Sequence, residues 1–110
     1  MAGWFELGRS SDGQFRFVLK GGNGETILSS ELYKAKESAE NGIASVQANC
    51  AIEEHYECKT SLTGRVFFNL RAANHRVIGT SQMYASAAAR DDGMASVKAN
   101  GSTPTIKDNA

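Results

Sequence analysis

A chain of 110 residues, 41% hydrophobic and 22% charged, has the size and composition of one domain with a core of its own. Twelve Lys/Arg balance twelve Asp/Glu, so no net field draws it to nucleic acid or a membrane surface. No apolar run nears the ~20 residues that span a bilayer. Residues 1–9 lack a signal-peptide core. Two cysteines without an export signal predict a soluble protein of the reducing cytoplasm.

The chain repeats itself. An offset of 51 residues aligns Phe5–Cys50 with Tyr56–Gly101 without a gap, and 15 of the 46 pairs are identical. The clearest blocks are GQFRFVLKGGNGETILSSELY (Gly13–Tyr33) over GRVFFNLRAANHRVIGTSQMY (Gly64–Tyr84). GIASVQAN (Gly42–Asn49) then lies over GMASVKAN (Gly93–Asn100).

In chain order, Phe5 and Leu7 match Tyr56 and Cys58, with Glu6 recurring as Glu57: a first strand. Phe15, Phe17 and Leu19 match Val66, Phe68 and Leu70, apolar at period two, so residues 15, 17 and 19 of the second strand point inward. Its outward set is Arg16, Val18 and Lys20 over Phe67, Asn69 and Arg71. A third strand covers Glu25–Ser30 and Arg76–Ser81, with Ile27 recurring as Ile78. Asp12-Gly13 and Asn23-Gly24 predict type I′ hairpin turns, and Thr63-Gly64 and Asn74-His75 are weaker versions of them.

After Tyr33 and Tyr84, Lys34–Asn49 and Ala85–Asn100 carry helix formers, with Ile43 and Val46 over Met94 and Val97 on one face. Glycine in mid-helix costs about 1 kcal/mol relative to alanine. Gly42 and Gly93 therefore predict a break into two short helices, with close approach to the sheet as the alternative. Asn49 and Asn100 are placed as left-handed C-caps. Thr103–Lys107 supplies a short edge strand, where Pro104 is tolerated. One domain over 1–110 follows, with repeats at approximately 4–50 and 56–101 and a strand and tail at 102–110.

These blocks resemble the tandem-repeat form of the YegP-like family, small bacterial proteins to which no activity is assigned. The resemblance runs from Trp4 to about Gly101. It implies an α+β fold of two tandem β3-α(2)-β repeats in one antiparallel sheet. The helices cover one face, and the C-terminal strands are exchanged between repeats. The chain would then be a monomer with internal pseudo-twofold symmetry. The family supplies no catalytic residue or cofactor.

The residues themselves offer no reaction centre, and none is assigned: no catalytic residue, cofactor or metal. Cys50, His55 and Cys58 form C-x4-H-x2-C, with His75 as a conceivable fourth ligand, but structural zinc wants tighter knuckles. Neither histidine recurs in the other copy, which leaves no repeated base for a nucleophile. Glu6 and Glu57 read as exposed residues of a half-buried strand. Gly21-Gly22-Asn23-Gly24 is bounded by strands, whereas a phosphate cradle opens onto a helix.

Two candidate sites remain. Ser30 and Tyr33, with Ser81 and Tyr84, lie at the strand-to-helix passage. Serine there caps the helix start and tyrosine closes the core with its hydroxyl at the rim; a twin ligand site belongs at the same place. Arg16, Lys20, Phe67 and Arg71 form the second candidate, a basic-aromatic strand face able to stack bases and neutralise phosphates. The first expectation for function is a non-enzymatic module presenting a sheet face or edge to a protein or peptide. Nucleic-acid binding is second, and a small-molecule enzyme third.

Overall fold

Alternation of apolar and polar side chains sets the strands, and the computed structural model, described over residues 3–110, arranges them in one sheet. The first half contributes β1 (Trp4–Arg9), β2 (Phe15–Lys20), β3 (Thr26–Ser29) and α1 (Lys36–Asn49). A short 3₁₀ turn, Glu53–His55, leads into the second half: β4 (Tyr56–Thr60), β5 (Val66–Arg71), β6 (Val77–Thr80) and α2 (Ala87–Asn100). A last strand, β7 (Ile106–Asp108), ends the chain. The order across the sheet is β4-β5-β6-β3-β2-β1-β7. It is a mixed α+β fold. All pairings are antiparallel except that of β7, which runs parallel to β1.

Phe5, Leu7, Phe17, Leu19, Phe68 and Leu70 are buried on the helix-covered face with Ile43, Val46 and Val97 from the helices. Burial of each such side chain contributes about 1.5–3 kcal/mol. Helix α1 packs on β1 and β2 and reaches β5 and β6; α2 packs on β5 and reaches β2 and β3. Each helix thus bridges both halves, and neither half has a core independent of the other.

The expected helix break is absent. Both helices run unbroken for 14 residues through Gly42 and Gly93. The glycines answer to the sheet instead: a Cβ on Gly42 would stand 2.8 Å from the Tyr33 hydroxyl, and one on Gly93 2.2 Å from that of Tyr84. Each tyrosine ring lies parallel to the phenylalanine beneath it, Phe17 at 6.3 Å and Phe68 at 6.5 Å.

The turns also differ from type I′, which needs positive φ at both central residues. Among the described residues, only Gly13, Gly24, Gly64 and His75 have positive φ. Each is the fourth residue of a turn closed by its own N–H, to Ser10, Gly21, Ser61 and Ala72 respectively. This is the type I turn with a left-handed bulge residue.

Asn49 and Asn100 are not left-handed caps either, because the cap residues Cys50 and Gly101 are right-handed. Each asparagine Nδ2 donates back to Ser45 or Ser96 carbonyl oxygen, at 2.7 and 2.8 Å. Its Oδ1 meets the start of a first strand. Asn49 takes His55 Nδ1 at 2.6 Å, and Asn100 accepts the Gly3 N–H at 2.8 Å. The repeated asparagine is therefore a brace between a helix end and a strand entrance.

Candidate functional site

The two pairs proposed at the strand-to-helix passage separate in the structure. Ser30 and Ser81 do not cap helices, which begin at residues 36 and 87. Each Oγ accepts the N–H of Phe17 or Phe68, at 2.9 and 3.0 Å, and donates to the next carbonyl. They staple the third strand to the second. The helix cap of α2 is Ser86, whose Oγ accepts the Ala89 N–H at 3.1 Å; Ala35 at the matching position of α1 has no side chain for this.

Tyr33 and Tyr84, by contrast, border twin clefts of about 210 and 260 Å³ at the seam between halves. One is lined by Tyr33, Asn41, Gly42 and Ser45 from the first half and by Asn74 and Arg76 from the second. The other has the matching Tyr84, Asp92, Gly93 and Ser96, with Asn23 and Glu25. Tyrosine, glycine, serine and the facing asparagine recur in both clefts, whereas Asn41 and Arg76 of one become Asp92 and Glu25 in the other. Burial and then Glu31 push the Tyr33 phenol above its ordinary value, with Arg76 opposing.

The open face of the sheet is crossed by one row, Glu57–Asn69–Thr80–Ser29–Val18–Glu6–Lys107. Arg16 and Lys20 flank it in one half, Phe67 and Arg71 in the other. β6 and β3 intervene, so the two groups are roughly 14 Å apart. Arg71 grips both oxygens of Glu57 at 2.7 Å. This ion pair holds the Glu57 carboxyl below its usual value. Glu6 accepts instead from Trp4 Nε1 at 2.7 Å, and Lys107 lies 4.3 Å over the Trp4 ring.

Cys50 is buried at the end of α1, and burial raises its thiol pKa. Cys58 is exposed on β4, with its Sγ 3.7 Å from Met94 Sδ. His55 is engaged by Asn49, and His75 sits in a turn. No group of three or more His, Cys, Asp or Glu side chains able to hold a metal gathers among the described residues. No helix among them is long and apolar enough to cross a membrane.

The least predictable feature is at the sheet edges. β7 lies along β1 in the register Phe5↔Ile106, Glu6↔Lys107, Leu7↔Asp108. The Phe5 N–H donates to Thr105 O at 2.9 Å and the Asn109 N–H to Leu7 O at 2.8 Å. β4 is the repeat partner of β1, yet among the described residues no strand lies on its outer edge. The segment after α1 that corresponds to β7 has become the 3₁₀ turn and the start of β4 itself. The exposures record the difference: Leu7 is 1% exposed, whereas Cys58 at the matching position is open to solvent.

The Lys36–Asp108 ion pair, at 2.5 Å, ties β7 to α1. Lys36 holds the Asp108 carboxyl below 3.8, so its contribution is present above that pH and lost as pH falls through the lowered value. Asp108 raises Lys36 above 10.5, so that contribution is present below 10.5 and lost as pH rises through the raised value. Amide exchange at Phe5 and Asn109 should therefore speed up at both extremes relative to the β2–β3 amides, and Asp108→Asn should remove the acid limb. Exchange at Phe5 independent of pH relative to those amides would contradict this.

Comparison with known proteins agrees with the doubled architecture. Residues 10–57 and again 63–108 match the domain of unknown function DUF1508. The chain belongs to this family. Among DUF1508 proteins it is similar to UPF0339 protein YegP of Escherichia coli K12, 67% identical over 109 residues and covering 99% of each chain. A UPF0339 protein of Acinetobacter baylyi is 61% identical over 108 residues, covering 98% of this chain and 97% of that one. The solution NMR structure of E. coli yegP, titled a protein of unknown function, superposes with a TM-score of 0.94, covering 99% of this chain and 94% of that one. That of the Shewanella oneidensis protein SO3888 gives 0.93 at 59% identity, covering 98% and 92%. These DUF1508 relatives carry no assigned function.

Proposed function

We propose that the chain is a non-enzymatic interaction module, a fused pseudo-dimer whose β7 is exchanged onto the first half. It takes up an extended polypeptide segment along the free edge of β4. The observation that carries this reading is the inequality of the two edges: β1 holds β7, and its repeat partner β4 holds no strand among the described residues. By the equivalence with Phe5 and Leu7, Cys58 presents its backbone groups outward. An edge of this kind gives main-chain affinity to an added strand. The first donor is already satisfied, since the Tyr56 N–H bonds to Glu53 O, so an added strand is gripped from Cys58 onward.

The test is selection from a library of displayed peptides against the intact protein and against Cys58→Pro. Proline removes an outward N–H on an edge strand, a position where it is tolerated. Binding of selected peptides should fall at least tenfold in Cys58→Pro and persist in Leu32→Asp, a change at an exposed leucine between β3 and α1. Equal binding to the wild type and Cys58→Pro would defeat the reading.

Nucleic acid on the open sheet face is the second reading. It draws on Arg16, Lys20, Lys59, Arg71 and Lys107 against Glu6 and Glu57 on that face. The Arg71–Glu57 pair and the Lys107 cover over Trp4 weigh against it. A salt-dependent anisotropy change with a single-stranded oligonucleotide would support it, and no change at low salt would remove it.

A further inference from the structure

We propose that the strand received by β4 is the β4 of a second copy, paired antiparallel about a twofold axis through Cys58. This rests on the reading of β4 as a strand-accepting edge and names the partner. Centred on Cys58, the pairing sets Tyr56 opposite Thr60 of the second copy, Cys58 opposite Cys58, and Glu57 opposite Lys59 twice over. Glu57 and Lys59 share the open face by the alternation of the strand, so the charges meet in complementary pairs.

Other registers are disfavoured by the same residues. A twofold through Glu57 places two glutamates face to face; one through Lys59 places two lysines so. A parallel pairing in register aligns like with like at both positions. The hydrogen-bonding phase agrees as well, because Cys58 has its backbone groups at the free edge while Glu57 and Lys59 turn theirs to β5. The edge charges that deter indiscriminate strand addition therefore become the code for one partner.

The flanks point the same way. Ile52, 38% exposed, precedes β4, and Leu62, fully exposed, follows it. Antiparallel pairing brings each copy's Leu62 to the end where the other's Ile52 stands, and it covers the Cys58 thiol. One five-residue strand is a small interface, so the dimer is weak and forms at high protein concentration.

Two measurements test this. The first is sedimentation equilibrium from micromolar to millimolar protein. The wild type should show a reversible monomer–dimer equilibrium. Lys59→Glu should weaken it at least tenfold, the variant first shown to melt as a folded protein.

The second is disulfide trapping with copper–phenanthroline in air. Two Cys58 thiols give up two protons and two electrons to oxygen as the S–S bond forms. A directly opposed, hydrogen-bonded pair places its Cα atoms about 5.5 Å apart, within disulfide reach. Trapping at Cys58 should run at least tenfold faster than in the Cys58→Ser/Thr60→Cys variant, whose thiols would lie roughly 13 Å apart along the strands. A monomer at every concentration, or equal trapping at 58 and 60, overturns the dimer. If the chain is monomeric while selected peptides still depend on Cys58, only the identity of the partner fails. If neither dimer nor peptide dependence appears, the strand-accepting edge fails too.

Discussion

Replacing Gly79 with leucine should destabilise the protein by about 3 kcal/mol or more, and adding Leu28→Gly should return most of that loss. Gly79 and Leu28 are repeat partners, brought together across the β3–β6 seam where the two halves meet. A Cβ on Gly79 would stand 2.6 Å from both Cγ and Cδ2 of Leu28, which is wholly buried. There is room at this seam for one leucine and no second. Leu28→Gly alone should also be costly, because truncating a buried leucine to alanine already costs about 2–5 kcal/mol. The double exchange moves the same side chain to the other side of a pseudo-twofold axis. Urea unfolding of the two single variants and the double checks the pattern. Single losses that simply add in the double would show that the residues do not share one space.

Gly93→Ala should destabilise by about 1–2 kcal/mol, against the direction of helix propensity. Alanine alone favours the helix by about 1 kcal/mol over glycine. Here its methyl would occupy the place of the Tyr84 hydroxyl and drive the ring from its stacked position over Phe68. An aromatic contact of this type contributes about 0.5–1.5 kcal/mol beyond its buried area. The decisive measurement is the same change in a Tyr84→Ala background. With the ring gone, Gly93→Ala should become stabilising by about 1 kcal/mol. A substitution that stabilises the wild type would mean that the tyrosine does not dictate the glycine.

Much of the frame is legible in the residues because it rests on local periodicity. Phe15, Phe17 and Leu19 alternate, their partners do the same, and the hairpin signals fall where turns form. The mid-helix glycines mislead because propensity concerns an isolated helix, whereas Gly42 and Gly93 answer to rings 9 residues earlier in the chain. β7 carries only three paired residues, too few to declare their partner or direction. Comparing copies for identity finds Tyr33 and Tyr84 but passes over Leu28 and Gly79, whose meaning lies in their difference. The charge of Arg71 is legible, and its capture by Glu57 requires the register of β4 on β5. The bare edge of β4 has no sequence signal of its own, since it arises from a segment used for something else.

The asparagine braces carry a topological consequence. Asn49 joins the end of α1 to the entrance of β4 through a short covalent link, and Asn100 joins the end of α2 to the entrance of β1 with no link at all. In space the molecule is a closed ring of two arcs, and the chain termini mark one cut in it. A permuted chain, opened between Cys50 and His55 and sealed between Gly101 and Trp4 by five residues, would keep both arcs. Its free C-terminal extension would then follow α1 and reach β4, leaving β1 uncovered. Which flank of the sheet stands open is thus decided by the position of the cut, and the two arcs are indifferent to it.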